Sequence, residues 1–148
     1  MRHDFLTYLC QTSPEPLALE IESAEGIYLH TKDGRRYIDF ISGIGVANIG
    51  HGHPAVLASI QQQLAKHLHV MVYGEYVQAA QVQYAKRLCA LAPLDDGVVF
   101  FCNSGAEAIE GALKTARKFT GRTKYIAFEG GYHGDTFGAL SAMSSAYY

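Results

Sequence analysis

The sequence predicts an α/β chain: a right-handed parallel strand–helix–strand crossover, preceded by an N-terminal arm and a β-hairpin. Three observations carry this. Two short apolar runs, Val98-Val99-Phe100-Phe101 and Tyr125-Ile126-Ala127-Phe128, lack polar alternation, the pattern of strands covered on both faces. Between them, Ile109, Ala112, Leu113 and Ala116 recur at helical spacing, and the whole unit has the size of a βαβ crossover. Upstream, Asp33-Gly34 separates Ile27-Tyr28-Leu29-His30 from Tyr37-Ile38-Asp39-Phe40, which is a hairpin signal.

The elements follow in order. Residues 1–18 carry Pro14 and Pro16 and little periodicity, and read as an extended arm. After the hairpin, the glycine-rich stretch 42–52 leads to His53-Pro54, where proline suits the first turn of a helix presenting Leu57, Ile60, Leu64 and Leu68. A second helix is expected from near Glu75, with Val77, Ala80, Tyr84, Leu88 and Leu91 on one face, ending before Pro93. Asp95-Asp96-Gly97 makes a turn into the first apolar run. The crossover helix, about Ser104 to Thr120, has Glu107 and Glu110 early, Arg117 and Lys118 late, and Gly121 at its close, which complements the helix dipole.

Composition narrows the function. With 148 residues, 49% apolar and 18% charged, the chain has a globular balance that suits one ordinary domain. A net charge of -2, with scattered basic residues, excludes the field that gathers nucleic acid or an anionic membrane. Cys10, Cys89 and Cys102 are far apart and odd in number, so buried, unpaired thiols in a reducing compartment are expected. The N-terminus lacks the apolar core of a signal peptide, and no run reaches the roughly 18 apolar residues of a membrane span. The expected location is the cytoplasm.

Both glycine-bearing loops, 103–106 and 130–134, leave the carboxyl ends of strands expected to be parallel, the edge where open α/β sheets bind ligands. The first opens a helix, whose free N–H groups and positive dipole end attract an anion, and Gly105 and Ala106 let it come close. N-capping by Ser104 explains the same residues without a ligand. The second loop delivers Tyr132 on a glycine-flanked backbone, either as a roof over a core edge or as a face for a flat ring. Together the loops suit a phosphorylated heteroaromatic cofactor.

These residues carry a resemblance. Asn103-Ser104-Gly105-Ala106-Glu107-Ala108, Ala112-Leu113-Lys114-Thr115-Ala116-Arg117 and Gly131-Tyr132-His133-Gly134, preceded by Gly50-His51-Gly52-His53-Pro54, are similar to the class III aminotransferases, the group that includes acetylornithine, ornithine and γ-aminobutyrate aminotransferases. The resemblance implies the fold type I architecture, pyridoxal 5′-phosphate, a homodimer, and amino transfer from an amino acid or ω-amine donor to a 2-oxo acid. It divides the chain into an arm and hairpin segment of the small domain, 1–50, and the first part of the cofactor-binding large domain, 51–148.

Carried over by position, Ser104, Gly105 and Ala106 match the phosphate turn, Tyr132 the residue stacked on the pyridine ring, and His133 its neighbour. Ile44 and Val46 match the segment that approaches substrate, and Tyr73 lies in the loop that reaches toward the partner subunit. His51 and His53 resemble a metal pair, but the family uses this stretch as structure and no third ligand has matching spacing, so no metal is expected. Asp135 stands where acetylornithine-type members have arginine, and His133-Gly134-Asp135-Thr136 is similar to diaminopelargonate aminotransferases, although those carry tryptophans in the segment matching 42–46 and this chain has no Trp.

The family's Schiff-base lysine and the acidic partner of the pyridinium nitrogen belong to a later part of its pattern. Of the six lysines, Lys114 lies ten residues beyond Ser104, roughly 15 Å along the helix, and Lys118 is farther. Lys32, Lys66, Lys86 and Lys124 fall in a turn, two helices and the wrong end of a strand. No catalytic residue is therefore expected here. The chain looks like the first third of a family member, inactive and at best marginally stable alone. A decarboxylase or aminomutase on the same scaffold, or a non-catalytic binding fragment, are the competing readings.

Overall fold

The computed structural model describes residues 1–71, 74–93 and 96–144. Two compact units, Met1–Gly74 and Glu75–Tyr148, divide the chain.

The first unit opens with a helix, α1 (Arg2–Tyr8), where an extended arm was expected. No proline interrupts residues 1–13, and Asp4 in the first turn lies 3.5 Å from the terminal ammonium. The prolines at 14 and 16 then keep the following segment out of the helix. A three-stranded antiparallel sheet follows, with order β1-β2-β3: β1 (Ile21–Glu25), β2 (Tyr28–Thr31) and β3 (Arg36–Ile38). Glu25 faces Tyr28 across a tight turn, Tyr28 faces Ile38, and a bulge interrupts β1 between Ile21 and Ser23.

Asp33 and Gly34 make the β2–β3 turn as expected. Gly34 takes φ +82°, the left-handed region glycine enters without penalty. The Asp33 carboxylate accepts from the Thr31 hydroxyl at 2.6 Å and from Arg35 Nε at 2.8 Å, and these bonds hold its pKa well below the usual carboxylate value. Beyond the sheet comes one left-handed turn, α2 (Ser42–Gly45), and then α3 (Pro54–Leu64), with Pro54 in its first turn. Leu68 lies beyond α3, and Lys66, expected within the helix, sits in the turn that follows it.

The second unit holds α4 (Ala79–Leu91), α5 (Gly105–Thr120) and α6 (Phe137–Ser141). α4 begins four residues later than Glu75. Tyr84 on α4 stacks on Phe101 at 5.9 Å, and the Tyr125 hydroxyl donates to the Leu113 carbonyl at 2.7 Å, tying both apolar runs to helices. The runs themselves form no ladder among the described residues, so the parallel crossover is present as run–helix–run in sequence but not as paired strands. A parallel strand needs a neighbour supplied from far away in the chain, and neither run supplies it to the other. Their side chains stand open: Val98 is 94% exposed and Ile126 fully exposed.

Burial is correspondingly sparse. Among the described residues, Thr31 is buried in the first unit, and Gly134 and Ala139 in the second. The thiols follow suit: Cys10 and Cys102 are exposed rather than buried, and Cys89 is half-covered, with its Sγ donating to the Gly97 carbonyl at 3.0 Å. No helix among the described residues is long and apolar enough to cross a membrane.

Candidate functional site

The start of α5 is built by local chemistry. Ser104 adopts extended backbone as N-cap, and its Oγ accepts from the Glu107 N–H at 3.1 Å. The Glu107 carboxylate turns back to accept from the Asn103 N–H at 2.6 Å, close to a capping box. Gly121 ends the helix at φ +70°. The bland reading of Ser104 as a cap is thus realised, yet it uses only part of the turn. The N–H groups of Gly105 and Ala106 have no acceptor among the described residues, and the space where a Gly105 side chain would stand is open. Two free amides, a hydroxyl hydrogen and the positive end of a 16-residue helix meet at one open point, a donor set suited to a phosphate.

The loop 130–134 comes to that point. Gly134 takes φ +117° and is buried against the helix start: a Cβ built on it would lie 2.5 Å from the Ala106 Cβ and 2.9 Å from the Ala106 Cα. Only glycine permits this approach. Gly130 donates to the Ser144 Oγ at 3.1 Å, which fixes the loop's other end. Tyr132 between them is 65% exposed, and its hydroxyl donates to the Asp135 Oδ2 at 3.0 Å. The His133 ring folds over Gly131, its Nε2 lying 3.1 Å from where a Gly131 Cβ would be. The structure therefore brings Ser104, Gly105, Ala106, Tyr132 and His133 into one neighbourhood of the second unit.

The remaining expected residues are not part of the second unit. Ile44 and Val46 belong to the first unit and are almost fully exposed, at 89% and 81%. They are held out by α2, in which Ser42, Gly43, Ile44 and Gly45 all take positive φ, between 52° and 76°. Asp39 organises this turn, accepting from the Ile41 and Ser42 N–H groups with Oδ1 and lying 2.7 Å from the His51 Nε2 with Oδ2. The His51 hydrogen bond, ahead of the Ser42 amide, keeps the Asp39 carboxyl below its usual pKa. His51 is also tied through its backbone to Gly26, with N–O distances of 3.0 and 2.7 Å. Its ring is engaged by a carboxylate, and no group of three metal-ligating side chains lies together among the described residues. Tyr73 lies outside the described residues.

Two participants escape sequence reading. Asp39 stands 12 residues before His51 with no periodic signal to join them. Glu110 looked like a dipole-compensating charge, but its carboxylate reaches across to α6. A cavity of about 800 Å³ between α1 and β1 is lined by residues such as Phe5, Tyr8, Leu19 and Ile21 and by none of the expected site residues.

Comparison with known proteins places the chain in a family. The profile described as aminotransferase class-III matches residues 10–148. An acetylornithine aminotransferase of Methanopyrus kandleri is 48% identical over 118 residues, covering 80% of this chain and 30% of that protein. Another from Listeria monocytogenes is 41% identical over 146 residues, covering 99% and 35%. Among solved structures, the adenosylmethionine-8-amino-7-oxononanoate aminotransferase of Methanocaldococcus jannaschii superposes with a TM-score of 0.87 at 31% identity, over 96% of this chain and 35% of that one. An S-selective transaminase from Arthrobacter sp. with alanine bound superposes at 0.84 with 32% identity, over 96% and 31%. The chain thus spans about a third of the length of these relatives. With a profile match over nearly all of its residues, this chain belongs to the class-III aminotransferases.

Proposed function

We propose that this chain contributes two walls of a pyridoxal 5′-phosphate site in an enzyme that moves an amino group from an amino acid or ω-amine donor to a 2-oxo acid. The observation that carries the reading is the contact of Gly134 with Ala106, which sets the Tyr132 loop beside free helix-start amides. In this reading Gly105 and Ala106 N–H groups and the Ser104 hydroxyl hold the phosphate, Tyr132 offers its face to the ring, and His133 lines the edge. Ile44, Val46 and Tyr73 approach the substrate. The cofactor, when bound, supplies an electron sink for the carbon that bears the amino group.

The chain spans about a third of its relatives' length, and the covalent lysine of the family belongs to a later part of its pattern, so this reading assigns it to sequence outside these residues. The chain alone is then without transaminase activity. The division at 50/51 into an arm-and-hairpin segment and the first part of the large domain, a homodimer and a cytoplasmic location belong to the same reading, as do partners limited to small molecules, with neither nucleic acid nor membrane.

The test is to supply the protein that carries this sequence with a panel of amino donors and 2-oxoglutarate, and to follow products by mass spectrometry. Donor-dependent glutamate is the expected result. Carbon dioxide release or an isomerised donor without glutamate selects a decarboxylase or an aminomutase, and no cofactor binding at all selects a non-catalytic module.

A further inference from the structure

α6 has five residues and begins without help from its own cap: Thr136 precedes it, but the Thr136 side chain makes no capping bond to it. The partner comes from another helix. Glu110 Oε1, one and a half turns into α5, accepts from the Gly138 N–H at 2.8 Å. The neighbouring Thr136 hydroxyl, ahead of the Gly138 amide, keeps this carboxyl's pKa below the usual glutamate value. A side chain at Gly138 would occupy the place of this carboxylate, so the glycine makes room for it. Ala139, beside the junction, is the most deeply buried apolar residue described.

The consequence reaches the site. The loop carrying Tyr132 has two ends: Gly130, bonded to Ser144, and the start of α6, bonded to Glu110. Asp135, which receives the Tyr132 hydroxyl, lies three residues before the Gly138 that Glu110 holds. The phosphate turn lies on the same α5 as Glu110, six residues earlier at Ser104. One rigid helix therefore presents the anion turn at its tip and, less than two turns on, the carboxylate that secures the ring-facing loop.

We infer that Glu110 is a positioning residue: by capping α6 from α5, it fixes Tyr132 at a set distance from the helix-start amides, so that phosphate and ring are bound in register. This rests on the cofactor reading above. Glu110 touches neither group. Its loss leaves the phosphate turn intact, since Ser104, Gly105 and Ala106 are organised by Glu107 and Asn103, but frees the wall that Tyr132 provides.

The test uses the protein that carries this sequence, stripped of cofactor, and measures binding of pyridoxal 5′-phosphate and, separately, competition by inorganic phosphate. For Glu110→Ala, loss of charge-assisted bonds is expected to weaken pyridoxal 5′-phosphate about tenfold, with the inorganic phosphate constant within about twofold of wild type. Glu110→Gln, which keeps an acceptor for Gly138, should recover most of the loss and stay within about threefold. A folded Glu110→Ala protein that binds both ligands as wild type does, or that loses both equally, overturns the inference. If Glu110→Ala does not fold, Glu110→Gln decides: selective weakening of pyridoxal 5′-phosphate supports the role, and unchanged or uniformly reduced binding overturns it. Wild type that binds inorganic phosphate but not pyridoxal 5′-phosphate removes the cofactor reading, and this inference with it.

Discussion

The hairpin and the crossover are both made of short apolar segments, yet they end in opposite states. β2 finds partners on both sides within a dozen residues, because antiparallel neighbours need only a tight turn between them. Runs 98–101 and 125–128 are more hydrophobic and pair with no strand among the described residues, with Val98, Ile126 and Phe128 open to solvent. Pairing therefore depends here less on strand propensity than on how far along the chain the partner lies. A segment that reads as a core strand is a strand only when its neighbour is present.

The sharpest way to break this comparison is Ile126→Asp. In the 148-residue chain, where Ile126 is fully exposed, the change should move stability by no more than about 0.5 kcal/mol. In a protein in which the proposed sheet covers it, an unpaired buried charge should cost about 3 kcal/mol or more. Urea denaturation of both forms reads the difference, and equal effects would show that the run is not a covered strand.

A smaller effect is expected from Gly134→Val, which brings a β-branched side chain into the left-handed region and against Ala106. It should cost about 2–3 kcal/mol and displace the Tyr132 loop, measured by denaturation and by pyridoxal 5′-phosphate titration. Ser104→Ala removes a cap and a hydroxyl donor, and should lower stability by about 1 kcal/mol while weakening inorganic phosphate, which separates it from Glu110→Ala.

The smallest effect concerns the locally closed region. The Asp39 carboxyl is held below its ordinary value of 3.8, first by His51 and then by the Ser42 amide. A lowered folded-state pKa means that the stabilisation is complete above the unfolded value and is lost as pH falls through the folded one. Wild type should therefore lose stability from about pH 4 downward, and Asp39→Asn should flatten that acid limb of the urea midpoint against pH. An unchanged slope would detach the carboxylate from the fold of residues 39–51.

What the sequence made legible follows the same division. Asp33-Gly34 announced the hairpin and Ser104 to Gly121 the full extent of α5, because each signal and its consequence lie within a few residues. The two glycine loops were placed together by the expected topology, and the contact of Gly134 with Ala106 realises that neighbourhood without a formed ladder. Asp39 with His51, and Glu110 with Gly138, were illegible because a polar pair across 12 or 28 positions leaves no periodic trace. α1 was missed because prolines at 14 and 16 say nothing about the turns before them.

The turn at Ile44 has a consequence for how this chain can be changed. A β-branched residue at φ +59° and ψ +58° sits on backbone that glycine would occupy without strain, and such positions cost about 1–3 kcal/mol. Replacing Ile44 by glycine should thus toughen the protein while erasing the side chain that the loop holds out. Libraries sorted for heat resistance and libraries sorted for turnover would then enrich different residues at this one codon.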